Sequence, residues 1–156
     1  MKTIIVTGSV GSGKTTFAKK LSDYLEFKYV DVNEVIKLNN LGEGYDKQKE
    51  CLIVDSVKLG KVLDGLIDKN NSGLVIDSHM SHYVNPKNVD LCVVTKCDLK
   101  VLKKRLESRG YSKQKIKDNI EAEIFNTCFV EAKEKGHKIL IVDTSHGINE
   151  NMFNLI

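Results

Sequence analysis

The chain has 156 residues, of which 41% are hydrophobic and 29% charged, and these values fit one globular domain with a single hydrophobic core. Its net charge of +3 is too small to indicate a nucleic-acid-binding protein. The sequence lacks a secretory signal, the roughly 18 apolar residues of a membrane span and any Cys-x-x-Cys pair, so we expect a cytoplasmic protein with reduced cysteines and no membrane contact.

Short apolar runs alternate with helical patterns, which is typical of βαβ units. Asp55 is a candidate N-cap for a helix with one apolar face, formed by Val57, Val62, Leu63, Leu66 and Ile67. Ser112 opens the longest predicted helix, which ends at Gly136. Five apolar runs are candidate strands, at residues 2–7, 27–32, 73–77, 89–95 and 138–142. The sequence therefore predicts a three-layer α/β domain with a five-stranded parallel sheet.

Residues 8–16 carry the most specific pattern, Gly-Ser-Val-Gly-Ser-Gly-Lys-Thr-Thr, which matches G-x-x-x-x-G-K-[ST]. Gly11 and Gly13 allow the backbone to wrap around a phosphate, and the N–H groups up to Thr16 form an anion-binding nest at the start of a helix. Lys14 would reach the β- and γ-phosphates of ATP, and the Thr15 hydroxyl would ligate Mg²⁺. The pattern predicts a P-loop NTPase fold.

A second acidic residue is expected at the end of a neighbouring strand, where it would hold Mg²⁺ through water. Asp77 follows the apolar residues Leu-Val-Ile, and His79 comes two residues later. An imidazole beside a carboxylate can orient a water or a substrate hydroxyl. Asp31 and Asp143 also end predicted strands and compete for this role. The alternative is that Asp77 caps a turn and His79 is a surface residue.

Two arginines, Arg105 and Arg109, are the only ones in this lysine-rich chain. They are four residues apart near the end of a helix that begins after Asp98 and stops at Gly110. Guanidinium groups neutralise charge on a phosphoryl group during its transfer, so both are candidate catalytic residues. Alternatively, they complement the dipole at the helix C-terminus.

The ordered set of motifs resembles the sixth adenylate kinase isoenzyme family, also described as coilin-interacting nuclear ATPase protein, with archaeal members described as adenylate kinases. The motifs are the P-loop, Gly44-Tyr-Asp46 followed by Asp55, Asp77-Ser-His79, Arg105-Leu-Glu-Ser-Arg109-Gly-Tyr111 and Asp118-Asn-Ile-Glu-Ala-Glu-Ile124. They extend over nearly the whole chain.

The resemblance implies a nucleoside monophosphate (NMP) kinase-like fold in one domain, residues 1–156, with an NMP-binding segment at about 31–54 and a short lid at about 108–118 that carries Arg109 to the nucleotide. It also implies that AMP, the preferred acceptor, is bound by Asn33, Lys37, Tyr45 and Asp55. Lys37 stands where some relatives have an arginine that contacts the monophosphate. Residues 80–86 lack the aromatic character of the corresponding family segment. We therefore expect weaker binding of the acceptor.

The same resemblance implies a monomeric, Mg-ATP-dependent kinase with ATPase activity, a role in small ribosomal subunit assembly, and a ribosomal protein of the uS11 type as a partner. Three other functions stay open. Thr95-Lys-Cys-Asp98 matches a guanine-reading motif of GTPases, although no D-x-x-G switch follows Asp77. A kinase for a small hydroxyl compound would use the same core. An assembly factor would use ATP hydrolysis for release from its partner.

Overall fold

The computed structural model describes residues 2–156, so Met1, which the domain prediction includes, lies outside the described residues. Five parallel strands form one sheet in the order β2-β5-β1-β6-β7. They are β1 (Thr3–Gly8), β2 (Lys28–Asp31), β5 (Leu74–Asp77), β6 (Leu91–Lys96) and β7 (Ile139–Asp143). The predicted five-stranded parallel sheet is thereby confirmed.

An antiparallel hairpin, β3 (Gly42–Asp46) and β4 (Cys51–Val54), stands apart from this sheet. The helices are α1 (Lys14–Leu25), α2 (Val32–Leu38), α3 (Ser56–Asp68), α4 (Leu99–Ser108), α5 (Lys113–Ile124) and α6 (Thr127–Glu134). Short 3-10 helices cover Ser81–Tyr83, Pro86–Asn88 and Glu150–Leu155. Among residues 2–156, no helix combines the length and the apolar character that crossing a membrane requires.

Helices cover both faces of the sheet because side chains alternate along each strand. Ile5 and Ile76 pack in a core cluster with α2, α3 and α6. Ile4 and Val6 face the other way and pack with Phe17 of α1. Both clusters are fully shielded from water at their centres, which gives the three layers that the sequence predicted.

The prediction of one long helix from Ser112 to Gly136 is wrong, because the structure divides these residues into α5 and α6. The apolar residues that suggested one helix recur every four positions, whereas an α-helix has 3.6 residues per turn. The apolar stripe therefore rotates around the helix by about 40° for every four residues. By Ile124 the side chain is 52% exposed. Asn126 then takes a left-handed backbone conformation, with φ of 53°, and redirects the chain into α6.

Two aspartates cap helices as the sequence predicted. The Asp55 carboxylate accepts hydrogen bonds from the backbone N–H groups of Val57 and Lys58 at the start of α3. The prediction that Val57 belongs to the apolar face of α3 is wrong. Val57 lies in the first turn of the helix beside the cap and is 66% exposed. Asp98 caps α4 in the same way. This role accounts for Asp98 without a guanine-reading motif.

Candidate functional site

The P-loop follows β1 and leads directly into α1. Gly11 and Gly13 have φ of 88° and 85°, a region that residues with a Cβ rarely adopt. A Cβ on Gly13 would also lie 3.0 Å from the Thr144 hydroxyl oxygen. No side chain among residues 2–156 caps the N-terminus of α1, so its N–H groups remain available to a phosphate.

A cleft of about 420 Å³ opens in front of this loop. It brings together six of the predicted site residues: Lys14, Thr15, Asn33, Asp77, His79 and Arg109. They come from α1, α2, the end of β5 and the segment after α4. The cleft lies beyond the carboxyl ends of parallel strands, where α/β sheets generally bind ligands.

Asp77 lies beside the P-loop because β5 pairs with β1, with Asp77 opposite Val6. Its side chain is only 4% exposed. Oδ2 accepts a hydrogen bond of 2.9 Å from the Tyr29 hydroxyl, and Oδ1 is buried without a hydrogen-bond partner among the described residues. Burial and the Asp77 charge together raise the pKa of Tyr29, so Tyr29 remains a donor. The free Oδ1 fits a water ligand of Mg²⁺, which prefers oxygen donors and keeps several waters.

Lys14 and Arg109 place positive charge at the same end of the cleft. Burial lowers the pKa of Lys14, and the nearby Asp77 carboxylate opposes this shift. The positive charge of the Arg109 guanidinium also lowers the pKa of Lys14, so the two cations are close enough to interact. Two neighbouring positive charges in a partly desolvated cleft favour a ligand that carries several negative charges.

His79 lines the cleft two residues beyond Asp77. His79 is exposed at the cleft, yet desolvation by the surrounding walls, followed by the positive charge of Lys14, lowers the pKa of its ring to about 4. The imidazole is therefore neutral at pH 7. A neutral ring donates one hydrogen bond and accepts another, which suits it to orient a phosphate or a water.

Arg105 does not line the cleft with Arg109. It donates hydrogen bonds to the Gly11 carbonyl at 3.2 Å and, from behind the P-loop, to the carbonyl and hydroxyl oxygens of Thr144 at 2.8 and 3.2 Å. The two arginines diverge because α4 ends at Ser108 and Arg109 is already the C-cap. The geometry gives Arg105 a supporting contact with the P-loop, and its predicted role at the phosphoryl group stays a prediction.

Three residues predicted to bind the acceptor lie outside the cleft, namely Lys37, Tyr45 and Asp55. Lys37 is exposed on α2, Tyr45 is 60% exposed on β3, and Asp55 caps α3. The opposite walls are instead formed by residues that were not assigned a role: Lys49, Cys51, Tyr111, Lys115, Asp118 and Asn119. The resemblance included Tyr111, Asp118 and Asn119, but no sequence signal marked Lys49 or Cys51.

The competing acids have structural partners. Asp31 caps α2 by accepting the Asn33 N–H group, and Asp143 accepts hydrogen bonds from the backbone and the hydroxyl of Ser145. These hydrogen bonds to Ser145 lower the pKa of Asp143. Neither acid lines the cleft, so Asp77 is the acid beside the P-loop.

Two buried side chains near the P-loop were not identified as site residues by the sequence analysis. Glu123 on α5 accepts a 2.7 Å hydrogen bond from the Ser9 hydroxyl and a 3.3 Å bond from the Cys97 N–H group. His82 lies between the Thr7 hydroxyl at 3.0 Å and the Glu131 carboxylate at 2.7 Å. Burial lowers the pKa of His82 although Glu131 opposes it, so we assign a neutral ring that donates to Glu131.

The strand order and the cleft beside the P-loop define a P-loop α/β fold. A shikimate kinase from Acinetobacter baumannii has the same fold, with a TM-score of 0.68 and 14% identity over 99% of this chain and 90% of that chain. Residues 4–126 match the family model described as an AAA domain.

Relatives in sequence are far more similar. An adenylate kinase isoenzyme 6 homolog of Schizosaccharomyces pombe is 39% identical over 97% of this chain and 86% of that protein. One from Caenorhabditis elegans is 35% identical over 96% and 82%, respectively. The chain belongs to the adenylate kinase isoenzyme 6 family, and it is a nucleotide kinase.

Proposed function

We propose that the protein is a Mg-ATP-dependent nucleoside monophosphate kinase that converts ATP and AMP to two ADP and acts as a monomer in the cytoplasm. The observation that supports this proposal is that one cleft of about 420 Å³ is lined by Lys14, Arg109 and Asp77, whose Oδ1 has no hydrogen-bond partner among the described residues. The relatives named as adenylate kinases support the choice of acceptor.

The P-loop and Asp77 are the proposed binding site for the donor. Backbone N–H groups from Gly11 to Thr16 and the Lys14 ammonium would hold the β- and γ-phosphates of ATP. Thr15 would contact Mg²⁺ directly, and Asp77 would do so through water. When bound, Mg²⁺ would supply positive charge that offsets the negative charge of the phosphates. The buried Tyr29–Asp77 hydrogen bond would fix the carboxylate for this purpose.

Arg109 and His79 are the proposed groups around the transferred phosphoryl group. Phosphoryl transfer spreads negative charge over the equatorial oxygens, and the planar guanidinium of Arg109 can bind two of them. The neutral imidazole of His79 would orient the acceptor by hydrogen bonds. Asn33 lines the same cleft from α2, where it would contact the acceptor.

The test is ADP production from Mg-ATP by the purified protein, measured with and without AMP. We expect a strong increase with AMP, because transfer to AMP yields two ADP. The Lys14→Ala variant is the control and should lose turnover by two or more orders of magnitude, on the scale of one lost electrostatic contact in a transition state, about 3–4 kcal/mol. Similar ADP production with and without AMP would contradict the kinase proposal.

A second candidate is an ATPase that assists small ribosomal subunit assembly, with a uS11-type ribosomal protein as partner. One observation favours it: only Asn33 of the four residues predicted to bind the acceptor lines the cleft. A neutral His79 is equally suited to orient a water. In this case ATP hydrolysis should be independent of AMP and should increase when a uS11-type protein is added.

A further inference from the structure

Two lysines that were not assigned to a ligand line the same cleft. Lys49 lies in the turn of the β3–β4 hairpin, and Lys115 lies on α5. The donor site already contains the positive charges of Lys14 and Arg109. Four cationic side chains therefore line the cleft together with two carboxylates, Asp77 and Asp118.

Lys115 is a half-buried ammonium group without an acidic partner. Its Nζ donates a 2.9 Å hydrogen bond to the Glu50 carbonyl and lies 4.0 Å from the centroid of the Tyr111 ring. An ammonium group has three N–H donors, and this carbonyl accepts only one. No carboxylate among residues 2–156 forms an ion pair with Lys115. An anionic ligand would satisfy the remaining charge and donors.

Lys117 shows what an ordinary lysine of this helix does. It is exposed, pairs with Glu121 at 3.9 Å and does not line the cleft. Lys115 differs because it is half-buried and lines the cleft. Its positive charge therefore lies on the wall of the same cleft that contains Lys14 and Arg109.

We infer that Lys115 and Lys49 bind the phosphate of the acceptor nucleoside monophosphate, in place of Lys37. This inference rests on the proposed kinase function and assigns the acceptor subsite within it. The acceptor phosphate accepts the N–H donors of Lys115 that the Glu50 carbonyl leaves free, and Lys49 binds it from the hairpin. Lys37, exposed on α2, takes no part.

The experiment is calorimetric titration of AMP, and separately of Mg-ATP, into the wild type and single variants. Lys115→Met is expected to weaken AMP binding by about tenfold or more, which corresponds to about 1.4 kcal/mol. The affinity for Mg-ATP should change by less than about threefold. Lys115→Arg keeps the charge and should retain most of the AMP affinity. Lys117→Met, on the same helix, and Lys37→Met should bind AMP like the wild type.

A purely structural role for Lys115 predicts a different result. Loss of the Glu50 contact would then lower the melting temperature, and the affinities for AMP and for Mg-ATP would change by the same factor. Lys49→Met tests the subsite independently, since this exposed turn residue should not affect folding. Unchanged AMP affinity in both methionine variants, or equal loss of AMP and ATP affinity, would overturn the subsite alone. Failure of the wild type to bind AMP would overturn the proposed function and the subsite together.

Discussion

Replacing Glu123 by alanine is expected to destabilise the protein strongly and to weaken nucleotide binding. Glu123 is 6% exposed and joins α5 to Ser9 of the P-loop and to Cys97 after β6. Truncation leaves two buried donors without their acceptor, and it also removes a side chain from the interior. The P-loop would lose its side-chain hydrogen bond to α5.

The size of the effect follows from the two hydrogen bonds. A hydrogen bond to a charged group contributes about 1.5–3 kcal/mol, and the 3.3 Å bond from Cys97 belongs at the weak end of that range. We expect a loss of about 3–4 kcal/mol in the free energy of unfolding. For a chain of this length, 1 kcal/mol shifts the melting temperature by about 2–4 °C, so the expected decrease is about 6–16 °C.

Thermal unfolding monitored by circular dichroism would measure this decrease without nucleotide. Glu123→Gln keeps one acceptor oxygen and should lose about half as much stability. The matched control is Glu121→Ala on the same helix, whose exposed carboxylate pairs only with Lys117 at 3.9 Å and should contribute less than about 1 kcal/mol. A melting temperature of Glu123→Ala within about 2 °C of the wild type would refute the reasoning.

Three further predictions concern the cleft. Asp77→Asn keeps an oxygen and the shape of the side chain but removes the charge, so the Mg²⁺ concentration that gives half-maximal turnover should rise by about tenfold; an unchanged value would exclude Asp77 from the metal site. Arg109→Met should lower kcat by about 10²–10³-fold with little effect on the melting temperature. Arg105→Met should instead lower the melting temperature, because it removes hydrogen bonds to Gly11 and Thr144. The reverse result for the two variants would contradict these assignments. The His79 ring should titrate near pH 4 in an NMR experiment, and a midpoint above 6 would contradict this. Since that pKa is below the ordinary 6.5, acidification from about 6.5 towards 4 should lower stability.

The donor half of the site was predictable because its residues are close together in the sequence. Gly11, Gly13 and Lys14 share one loop, and the positive φ angles that the two glycines adopt are a local property of the backbone. The position of Asp77 followed from an apolar run that ends at a charged residue, since buried parallel strands are apolar. The caps at Asp55 and Asp98 depend on hydrogen bonds to residues two or three positions away.

The wall of the cleft opposite the P-loop was not predictable in this way. The resemblance assigned Lys37 to the acceptor, yet α2 leaves it exposed outside the cleft. Lys115 reaches the cleft because α5 packs near the hairpin, where it contacts Glu50, 65 positions earlier in the chain. Its neighbour Lys117 is the same residue type on the same helix, and nothing local separates the two. The direction of each side chain depends on how the helix packs.

The sequence by itself determined the parallel sheet, the P-loop and the acid beside it, because periodicity, glycine conformation and helix capping act over a few residues. The tertiary structure alone decided that Arg105 lies behind the loop and that Glu123 reaches Ser9, 114 positions away. It also decided where α5 ends and α6 begins. These outcomes depend on how separate helices and strands pack together. Packing brings into contact residues that are far apart in the sequence, and no local sequence pattern predicts such contacts.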